Sequence, residues 1–297
     1  DVFYNLRTRI LWQASAIVPV STGMTLPPQN IGKVSNKGFE YVITYHGTAG
    51  ALGYSISTNG SYAKNKIVFS FDTPGIPDYQ LSEGMPMNAV LSYQVIGVFK
   101  DAAAVAAYPH WGGAQPGDLI FKDVNDDKKI DGLDKVMESK TNLPTFIGGL
   151  NANFNYKQFD FSVLFQGAAG ATVYLSPESG DIGNYYASWV KNRWTPENTD
   201  ASWPRTYNRS NEYWSPGNQR NTFWLFSTDY VRLKSMEFGY SLPTSITKKL
   251  TIQQLRVYVS GQNLLTLSKM KEIDPEENGG TSYPLQRVVN LGVTLTF

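Results

Sequence analysis

The segment from Gly148 to Gln166 constrains the fold most, because apolar and polar residues alternate along almost all of it. One face of the pattern carries Leu150, Ala152, Phe154, Tyr156, Phe159, Phe161, Val163 and Phe165. The other face carries Asn151, Asn153, Asn155, Asp160, Ser162 and Gln166, with Leu164 as the exception. This period predicts a hairpin of two strands of roughly ten residues each, turning at Lys157 and Gln158. A barrel in a membrane turns its apolar face to lipid and can line its lumen with amides and hydroxyls. A soluble sandwich favours charged residues on its solvent face, so the asparagine face favours a barrel wall.

The same alternation recurs along the chain, up to its last residues. Residues 287–297 place Val289, Leu291, Val293, Leu295 and Phe297 on one face and small or polar residues on the other. Alternating stretches also occur at residues 1–11, 39–46, 53–62 and 255–263. Residues 230–242 are predicted to form a strand as well, although neither face is uniform. Arg232 and Lys234 share a side there with Met236, Phe238 and Tyr240. We expect about eight to ten strands in this chain, fewer than the larger barrels contain.

Composition is compatible with a barrel and excludes several other classes. The net charge of +1 gives no strong field that would favour nucleic acid. Mean hydropathy is −0.29, and no apolar run approaches the ~20 residues that a spanning helix needs. Cysteine is absent, which excludes disulfides, thiolate metal sites and thiol nucleophiles. Aromatic residues make up 13% of the chain, a fraction that suits interfacial girdles or sugar-binding surfaces.

Long polar stretches separate the strands at residues 72–86, 107–144, 176–224 and 268–284. Long loops that alternate with tight turns are typical of outer-membrane barrels, which have long extracellular loops and short periplasmic turns. One loop is predicted to contain a short helix at residues 185–194. Four tryptophans of these loops are candidates for contact with a ligand or partner protein, and they can equally pack the loops together. They are Trp111, Trp194, Trp203 and Trp214.

Residues 123–134, DVNDDKKIDGLD, have the ligand spacing of a calcium loop. Oxygen side chains stand at positions 1, 3, 5, 9 and 12, and position 7 offers a backbone carbonyl. The side-chain oxygens belong to Asp123, Asn125, Asp127, Asp131 and Asp134, and the backbone carbonyl belongs to Lys129. Two departures weaken the pattern: Lys128 stands where glycine is usual, and Asp134 is shorter than the usual glutamate. The loop is predicted to hold a structural Ca²⁺, and the alternative is a solvated acidic turn with capping aspartates.

No catalytic constellation occurs in the sequence. His46 and His110 are the only histidines, and there is no serine nucleophile elbow, dinucleotide-binding glycine motif or phosphate-binding loop. The neighbouring carboxylates Glu276 and Glu277 would point apart on a strand, so solvated loop charge explains them better than a glycosidase pair. We therefore do not expect an enzyme.

Several segments, in one order along the chain, carry a family resemblance. Residues 116–136, PGDLIFKDVNDDKKIDGLDKV, are similar to a family segment PGDIRYKDVNGDGKID, from which Lys128 departs. Residues 26–40 are similar to the family stretch NIGKVENKGVE. Further similar runs are RWTPEN from Arg193, YVRLKSMEFGYSLP from Tyr230, LRVYVSGQNLLTLSK from Leu255, DPE from Asp274 and the final strand. Together they resemble the SusC/RagA-type TonB-dependent outer-membrane transporters of Gram-negative bacteria.

The resemblance implies an all-β fold, an antiparallel transmembrane β-barrel of about 22 strands with long extracellular loops. Residues 1–297 would form the C-terminal part of that barrel. Because Asp1 is not preceded by a leader, we expect the signal peptide, the TonB box and the plug domain to lie upstream. The resemblance also implies uptake of oligosaccharides or peptides across the outer membrane. By the same resemblance, the partners of the protein would be a SusD-like surface lipoprotein, TonB through the missing N-terminal part, and outer-membrane lipid. Phe297 resembles the terminal aromatic signal for barrel assembly.

Two alternatives stay open from the sequence. One is a passive porin or adhesin barrel without energy coupling. The other is a secreted, calcium-bound, carbohydrate-binding β-sandwich. A sandwich would bury Phe154, Phe161 and Leu291 between two stacked sheets, whereas a barrel wall would expose them on one face.

Overall fold

The computed structural model describes residues 1–12, 23, 27–175, 186–206, 219–277, 283 and 285–297. Eight long strands form one antiparallel sheet: β1 (Val2–Trp12), β2 (Gln29–Ala49), β3 (Leu52–Phe69), β8 (Phe146–Tyr156), β9 (Phe159–Ala169), β12 (Tyr230–Ser241), β13 (Gln254–Ser268) and β14 (Val288–Thr296). Their order in the sheet is their order in the chain. Each long strand therefore pairs with the next one, as in an up-and-down barrel wall.

Shorter elements lie in the connections between the long strands. They are β4 (Leu91–Tyr93), β5 (Val95–Val98), α1 (Ala102–Ala107), β6 (Leu119–Phe121), β7 (Lys135–Met137), β10 (Thr172–Tyr174), α2 (Ala187–Asn192), β11 (Leu225–Ser227) and α3 (Thr244–Thr247). Turns of 3-10 helix occupy Asp78–Gln80, Gly132–Asp134, Thr222–Trp224 and Lys248–Leu250. The short strands pair as β4 with β7, β5 with β6 and β10 with β11. The helix predicted at residues 185–194 is confirmed as α2, whereas the long connections carry more regular structure than the sequence predicted.

The connections divide into two kinds, one at each end of the sheet. At one end β2 and β3 meet around Gly50, which has φ +61, and β8 and β9 meet around Lys157, which has φ +53. The third connection at this end, residues 242–253 between β12 and β13, is longer and contains α3. The opposite end carries the long connections at residues 70–145, 170–229 and 269–287. By the rule for outer-membrane barrels, the short turns mark the periplasmic end and the long loops mark the extracellular end.

None of the helices in the described part of the chain has the length and apolar character needed to cross a bilayer.

The register brings apolar side chains together on one face, here called the outer face. One row of paired residues crosses seven strands as Gly47, Tyr54, Phe154, Phe161, Phe238, Val259 and Leu291. The row below it runs through Leu52, Tyr156, Phe159, Tyr240, Val257 and Val293. Toward the other end the central rows are mainly aliphatic, with Ile43, Leu150, Leu233 and Leu265 beside the single ring of Phe165, and aromatic residues become frequent again at Phe39, Tyr62 and Phe146. Two aromatic girdles flanking an aliphatic band are the pattern of a lipid-facing barrel wall.

The alternate residues form the opposite, inner face, which is mainly polar. One row crosses seven strands as His46, Ser55, Asn153, Ser162, Glu237, Ser260 and Asn290. The loop residues Asp274 and Glu276 reach over this face and bind Arg232. The predicted hairpin with its asparagine face is therefore confirmed, and the asparagines lie on the side over which the loops fold.

A β-bulge explains the strand that looked irregular in the sequence. Leu233 pairs with Phe165, but Ser235 pairs with Leu164, so Lys234 is an extra residue on β12. The extra residue shifts the alternation by one position. As a result Arg232 lies on the inner face with Glu237, while Leu233 joins the apolar residues of the outer face.

The dimensions and exposure of the outer face fit a bilayer. Strand β8 contains 11 residues, or ten steps of about 3.4 Å, and a tilt of about 40° reduces this length of about 34 Å to a height of about 26 Å. Leu291 is 80% exposed, and the rings of Phe154 and Phe161 stack on each other at 6.2 Å on the same face. The β-sandwich is excluded, because these residues lie on one exposed face of a single sheet.

Candidate functional site

A concave groove of about 510 Å³ is lined mainly by inner-face residues. Its polar lining comes from Glu40, Asn59, Ser61 and Gln166, and the Ser61 hydroxyl donates to Glu40 at 3.1 Å. Gly149 forms part of the floor, where a Cβ would lie 2.8 Å from the Asn59 amide oxygen. Amides, a hydroxyl and one carboxylate give donors and acceptors that could bind a neutral polar solute. None of these residues was predicted from the sequence to bind a ligand, because the groove forms only when β2, β3, β8 and β9 are paired.

At the extracellular end of the inner face, Arg232 fixes the loop between β13 and β14. Its side chain is fully buried, its Nη2 lies 2.6 Å from Asp274 Oδ1, and its Nη1 lies 2.9 Å from Glu276 Oε2. Tyr230 donates to the same Glu276 carboxylate at 2.5 Å. A buried guanidinium is stable only when carboxylates and hydrogen bonds compensate its desolvation. The runs that begin at Tyr230 and at Asp274 both resemble the SusC/RagA family, and this ion pair brings them into contact.

Near the periplasmic end, Arg256 links three strands on the inner face. Its Nε donates to Asp160 at 3.0 Å and its Nη2 donates to Glu237 at 2.6 Å. The guanidinium lies across β12 at Gly239, where a Cβ would lie only 2.5 Å from Asp160 Oδ1 and 2.6 Å from Arg256 Nε. Glycine is required there because any side chain would displace the ion pair. The network ties β9, β12 and β13 together on the side that faces the lumen.

The extracellular connections pack into one unit, here called the loop layer, formed by the described parts of residues 70–145, 170–229 and 269–287. Its core consists of Tyr93, Val98, Leu119, Phe121, Ile130, Leu175, Trp189 and Trp224. Trp189 is 3% exposed, and its ring lies 5.1 Å from Trp203, 5.3 Å from Trp224 and 5.9 Å from Phe226. Aromatic burial of this density gives loops a hydrophobic core of their own.

Ion pairs join separate loops of the loop layer to each other. Arg220 makes two parallel bonds to Glu138, at 2.8 and 3.0 Å, and Ser92 donates to the same carboxylate. Arg205 Nε lies 2.6 Å from Asp118, whose side chain is fully buried. Such bonds fix geometry as well as contributing energy, because the guanidinium and carboxylate match in shape. In the described parts of the long loops, these ion pairs therefore join segments that are distant in sequence.

Three ionisable groups of the loop layer show the effect of burial and pairing. Burial raises the pKa of Tyr93 to about 12, with smaller contributions from the carboxylates of Asp134 and Asp131. Burial likewise raises the pKa of Tyr174 to about 12. At the solvent-exposed edge, the hydrogen bond from Lys100 lowers the pKa of Asp200.

The structure places three of the four predicted contact tryptophans within the loop layer. Trp111 lies 4.7 Å from the Phe121 ring, and Trp203 lies 5.1 Å from Phe223. Trp194 donates its indole N–H to the Lys100 carbonyl at 3.0 Å. Its ring covers Gly117, which has φ +90 and would place a Cβ 2.6 Å from the indole. All three are partly buried, so each contributes to packing and keeps an exposed part. Trp214 lies outside the described residues.

The predicted calcium loop is stabilised by its own backbone. Asp123 accepts hydrogen bonds from the N–H groups of Asp127 and Lys128, and Asp131 caps the turn by accepting from Leu133. Asp134 is fully buried and accepts from Val124 and Asp131 at 2.8 Å each. Each carboxylate oxygen of Asp134 thus accepts one backbone hydrogen bond.

The rest of the loop has one feature in common with calcium loops. Lys128 adopts φ +65, the left-handed conformation that glycine usually supplies at this position. Asn125, Asp127 and Lys129 lie in the same turn, where Asp127 accepts from Lys129 N at 2.9 Å. Within the described ranges, no group of three or more His, Cys, Asp or Glu residues is arranged to hold a metal ion. The calcium site therefore stays a prediction.

A lipid-facing band, a mainly polar inner face and a packed extracellular layer together define part of the wall of an outer-membrane β-barrel. A scan of protein-family models found no match to the chain.

Comparison with curated proteins and solved structures shows which barrel proteins the chain is similar to. The chain is 30% identical to TonB-dependent receptor P3 of Formosa agariphila, with 99% of this chain and 32% of that protein covered. It is 25% identical to TonB-dependent receptor SusC of Bacteroides thetaiotaomicron, with 95% of this chain and 28% of that protein covered. The RagAB peptide importer in its open-open state superposes with a TM-score of 0.70 at 20% identity, covering 100% of this chain and 32% of that one.

These similarities confirm the resemblance to SusC/RagA-type TonB-dependent receptors and the localisation in the outer membrane. The chain spans about a third of the length of the relatives that it matches. Those relatives are receptors and importers, not enzymes.

Proposed function

We propose that this chain supplies barrel wall and extracellular loops to a TonB-dependent importer of oligosaccharides or peptides. The observation that carries the proposal is the inner face, where polar side chains follow one another across seven paired strands. Sugars and peptides both present neutral hydrogen-bonding groups, which amides and hydroxyls can bind in either donor or acceptor role. The similarity to SusC and to the RagAB peptide importer supports the same function.

Energy coupling distinguishes this proposal from the passive porin. The intact receptor is expressed in its own outer membrane, and uptake of fluorescent oligosaccharides and peptides is followed with and without a protonophore. A TonB-dependent importer loses uptake when the inner-membrane gradient collapses, whereas a porin continues to equilibrate its solute. Uptake that is insensitive to the protonophore would favour the porin and overturn the proposal.

The groove is proposed as a cargo-contact site within this importer. Asn59→Leu removes an amide from the inner face, and Thr58→Leu on the same strand serves as the matched control, since Thr58 belongs to the outer face. We expect slower uptake only for the Asn59 variant, with equal amounts of folded receptor. Equal uptake by both variants would remove the groove from the cargo path.

A SusD-like surface lipoprotein is the proposed partner of the loop layer. An ordered surface with aromatic edges, including those of Trp111, Trp194 and Trp203, could bind such a protein without first paying the entropy of loop ordering. Affinity purification of the intact receptor from its native membrane is expected to recover one lipoprotein in comparable amount. Recovery of the receptor alone, together with full uptake, would contradict this part of the proposal.

Two smaller proposals concern the chemistry and the assembly of the barrel. We infer that the chain is not an enzyme, so cargo incubated with the purified receptor should be recovered chemically unchanged. The exposed Phe297 at the end of the last strand is proposed as an assembly signal, so Phe297→Ala should lower the amount of folded receptor in the membrane.

We also propose that residues 123–134 bind a calcium ion whose role is structural. Asp134 is fully buried and holds the turn through two backbone hydrogen bonds, so an ion at this loop would reinforce a turn that already has internal support. Calorimetry of the purified receptor that shows no heat with millimolar calcium would dismiss the ion, and Asp127→Asn provides the matched control if heat is seen.

A further inference from the structure

Four lysines stand together on the outer face, just beyond its apolar band. Lys37 pairs directly with Lys64 across β2 and β3, and both continue the outer-face alternation from Phe39 and Tyr62. Lys66 follows two residues along β3, paired with Ser35, and Lys33 lies beside Phe69 at 5.9 Å from its ring. All four lysines are exposed. Two adjacent strands therefore present a group of cations toward the side of the sheet that faces lipid.

The height of this lysine group in the membrane follows from the register. Phe39, Tyr62 and Phe146 form the aromatic row at the extracellular end of the apolar band, and the Phe39 and Tyr62 rings stack at 5.7 Å. The Lys37–Lys64 pair lies two residues further, about 7 Å along the strands. Aromatic girdles sit at the level of the lipid headgroups. The lysines therefore lie at the level of the outer-leaflet headgroups.

The charges of this group are not compensated within the described part of the chain. No ion pair within 4 Å involves Lys33, Lys37, Lys64 or Lys66 among the described residues. The nearby Glu83 accepts from the Ser70 backbone, and Asp72 accepts from Ser82 and Glu83. Like charges directly opposite each other in a sheet are destabilising. An external anion would offset that cost.

A concavity beside Lys64 supplies the other parts of an anion site. It measures about 230 Å³ and is lined by Lys64, Lys140, Ser139, Thr141 and Thr145 among others. Two ammonium groups with neighbouring hydroxyl donors match a phosphate, which accepts several hydrogen bonds and carries negative charge. In the adjacent strand, Tyr4 and Leu6 lie in the same rows as the lysines and extend the apolar surface for an acyl chain.

We propose that this lysine group binds the phosphate of an anionic lipid headgroup in the outer leaflet of the membrane. Headgroup and acyl chain would be recognised together, the phosphate by Lys37, Lys64, Lys66 and Lys140 and the chain by the aromatic row below. Such binding anchors β2 and β3 at a fixed depth, on the side of the wall away from the cargo path. It makes a prediction about lipid, not about transport.

The test measures lipid binding by the purified, intact receptor. Nanodisc or native mass-spectrometry titrations use diphosphorylated lipid A, its dephosphorylated form and inorganic phosphate as probes. Lys37→Gln combined with Lys64→Gln is compared with Lys157→Gln combined with Lys249→Gln, two exposed lysines at the short-turn end. We expect the first pair to weaken binding of diphosphorylated lipid A by about thirtyfold, the factor for two lysines at a membrane surface. The control pair should bind like the unmodified receptor.

Each outcome decides the proposal. Equal weakening by both pairs of substitutions would show non-specific charge attraction and overturn it. Binding of dephosphorylated lipid A as tight as that of the phosphorylated form would also overturn it. Saturation by inorganic phosphate at the same affinity would assign the site to free phosphate instead of lipid. Gel mobility before and after heating checks that both variants are folded, and protonophore-sensitive uptake in each variant tests the import function separately.

Discussion

The barrel wall and the loop layer solve the problem of burial in different ways. In the wall, each strand pairs with its neighbour, and alternate residues face lipid or the lumen, so the solvent on either side decides which residues are tolerated. In the loop layer, polar segments from three connections surround a core that includes Trp189, Trp224 and Phe121. The wall shows its apolar residues to the outside, whereas the loop layer hides them as a soluble domain does.

This difference teaches where stability and specificity reside. In the wall, the effect of a substitution on stability depends on whether the side chain faces lipid or the lumen. A substitution in the loop layer is judged by packing and by partners distant in sequence, such as Glu138 and Arg220. The two regions should therefore respond to opposite kinds of mutation.

The largest expected effect comes from removing the central tryptophan of the loop layer. Trp189→Ala leaves a cavity among Trp203, Trp224 and Phe226, and it should destabilise the loop layer by about 3–5 kcal/mol. Hydrogen exchange of the intact receptor should then show faster exchange in the loops and unchanged protection in β8 and β9. Tyr283→Ala, at a residue that is 80% exposed, is the control. Loss of protection in both regions together would show that the loop layer is not a separate unit.

A charge placed on the wall tests the opposite rule. Val163→Arg introduces a cation near the middle of the lipid-facing band and should cost about 2–4 kcal/mol. Its neighbour Ser162 faces the lumen opposite Glu237, so Ser162→Arg should be tolerated. Denaturant unfolding of the refolded receptor in liposomes gives both values. Similar costs for the two variants would mean that the assignment of inner and outer faces is wrong.

The sequence predicted the wall well because strand periodicity is local information. Residues 148–166 specify both their strands and the faces of those strands without reference to the rest of the chain. Strand β12 is the exception, since the bulge at Lys234 becomes visible only through pairing with Phe165 and Leu164. A bulge changes the phase of alternation, and no composition signal marks its position.

The loop layer could not be predicted in the same way. Tyr93 donates its backbone N–H to Arg220, more than a hundred residues away, and Val95 donates to Thr222. Such contacts have no periodic signature, so the tryptophans were recognised as candidates while their neighbours were not. The groove was missed for the same reason, because Gln166 on β9 is about a hundred residues from Glu40 and Asn59 on the paired strands β2 and β3.

A smaller effect should separate buried from exposed ion pairs within the loop layer. Glu138→Gln keeps the size of the side chain but removes the charge that Arg220 binds twice, and it should cost about 1–3 kcal/mol. The pair between Lys100 and Asp200 is largely exposed, so Asp200→Asn should leave stability unchanged within error. Proteolysis rates of the loops in the intact receptor measure both. A larger effect from Asp200→Asn would contradict the view that Glu138 and Arg220 hold the loops together.

The smallest effect at neutral pH concerns the buried phenol of Tyr93. Its pKa is raised from 10.0 to about 12, chiefly by burial, so the folded state holds the phenolic proton more tightly than the unfolded state does. This contribution to stability is complete below pH 10.0 and is lost as the pH rises to about 12. Tyr93→Phe should therefore leave stability at pH 7 nearly unchanged and make the loop layer more resistant between these pH values. Tryptophan fluorescence of the intact receptor follows the loops, while β-sheet circular dichroism follows the wall. If both signals changed together on alkaline titration, or if Tyr93→Phe had no effect there, the loop layer would not owe its alkaline sensitivity to this buried tyrosine.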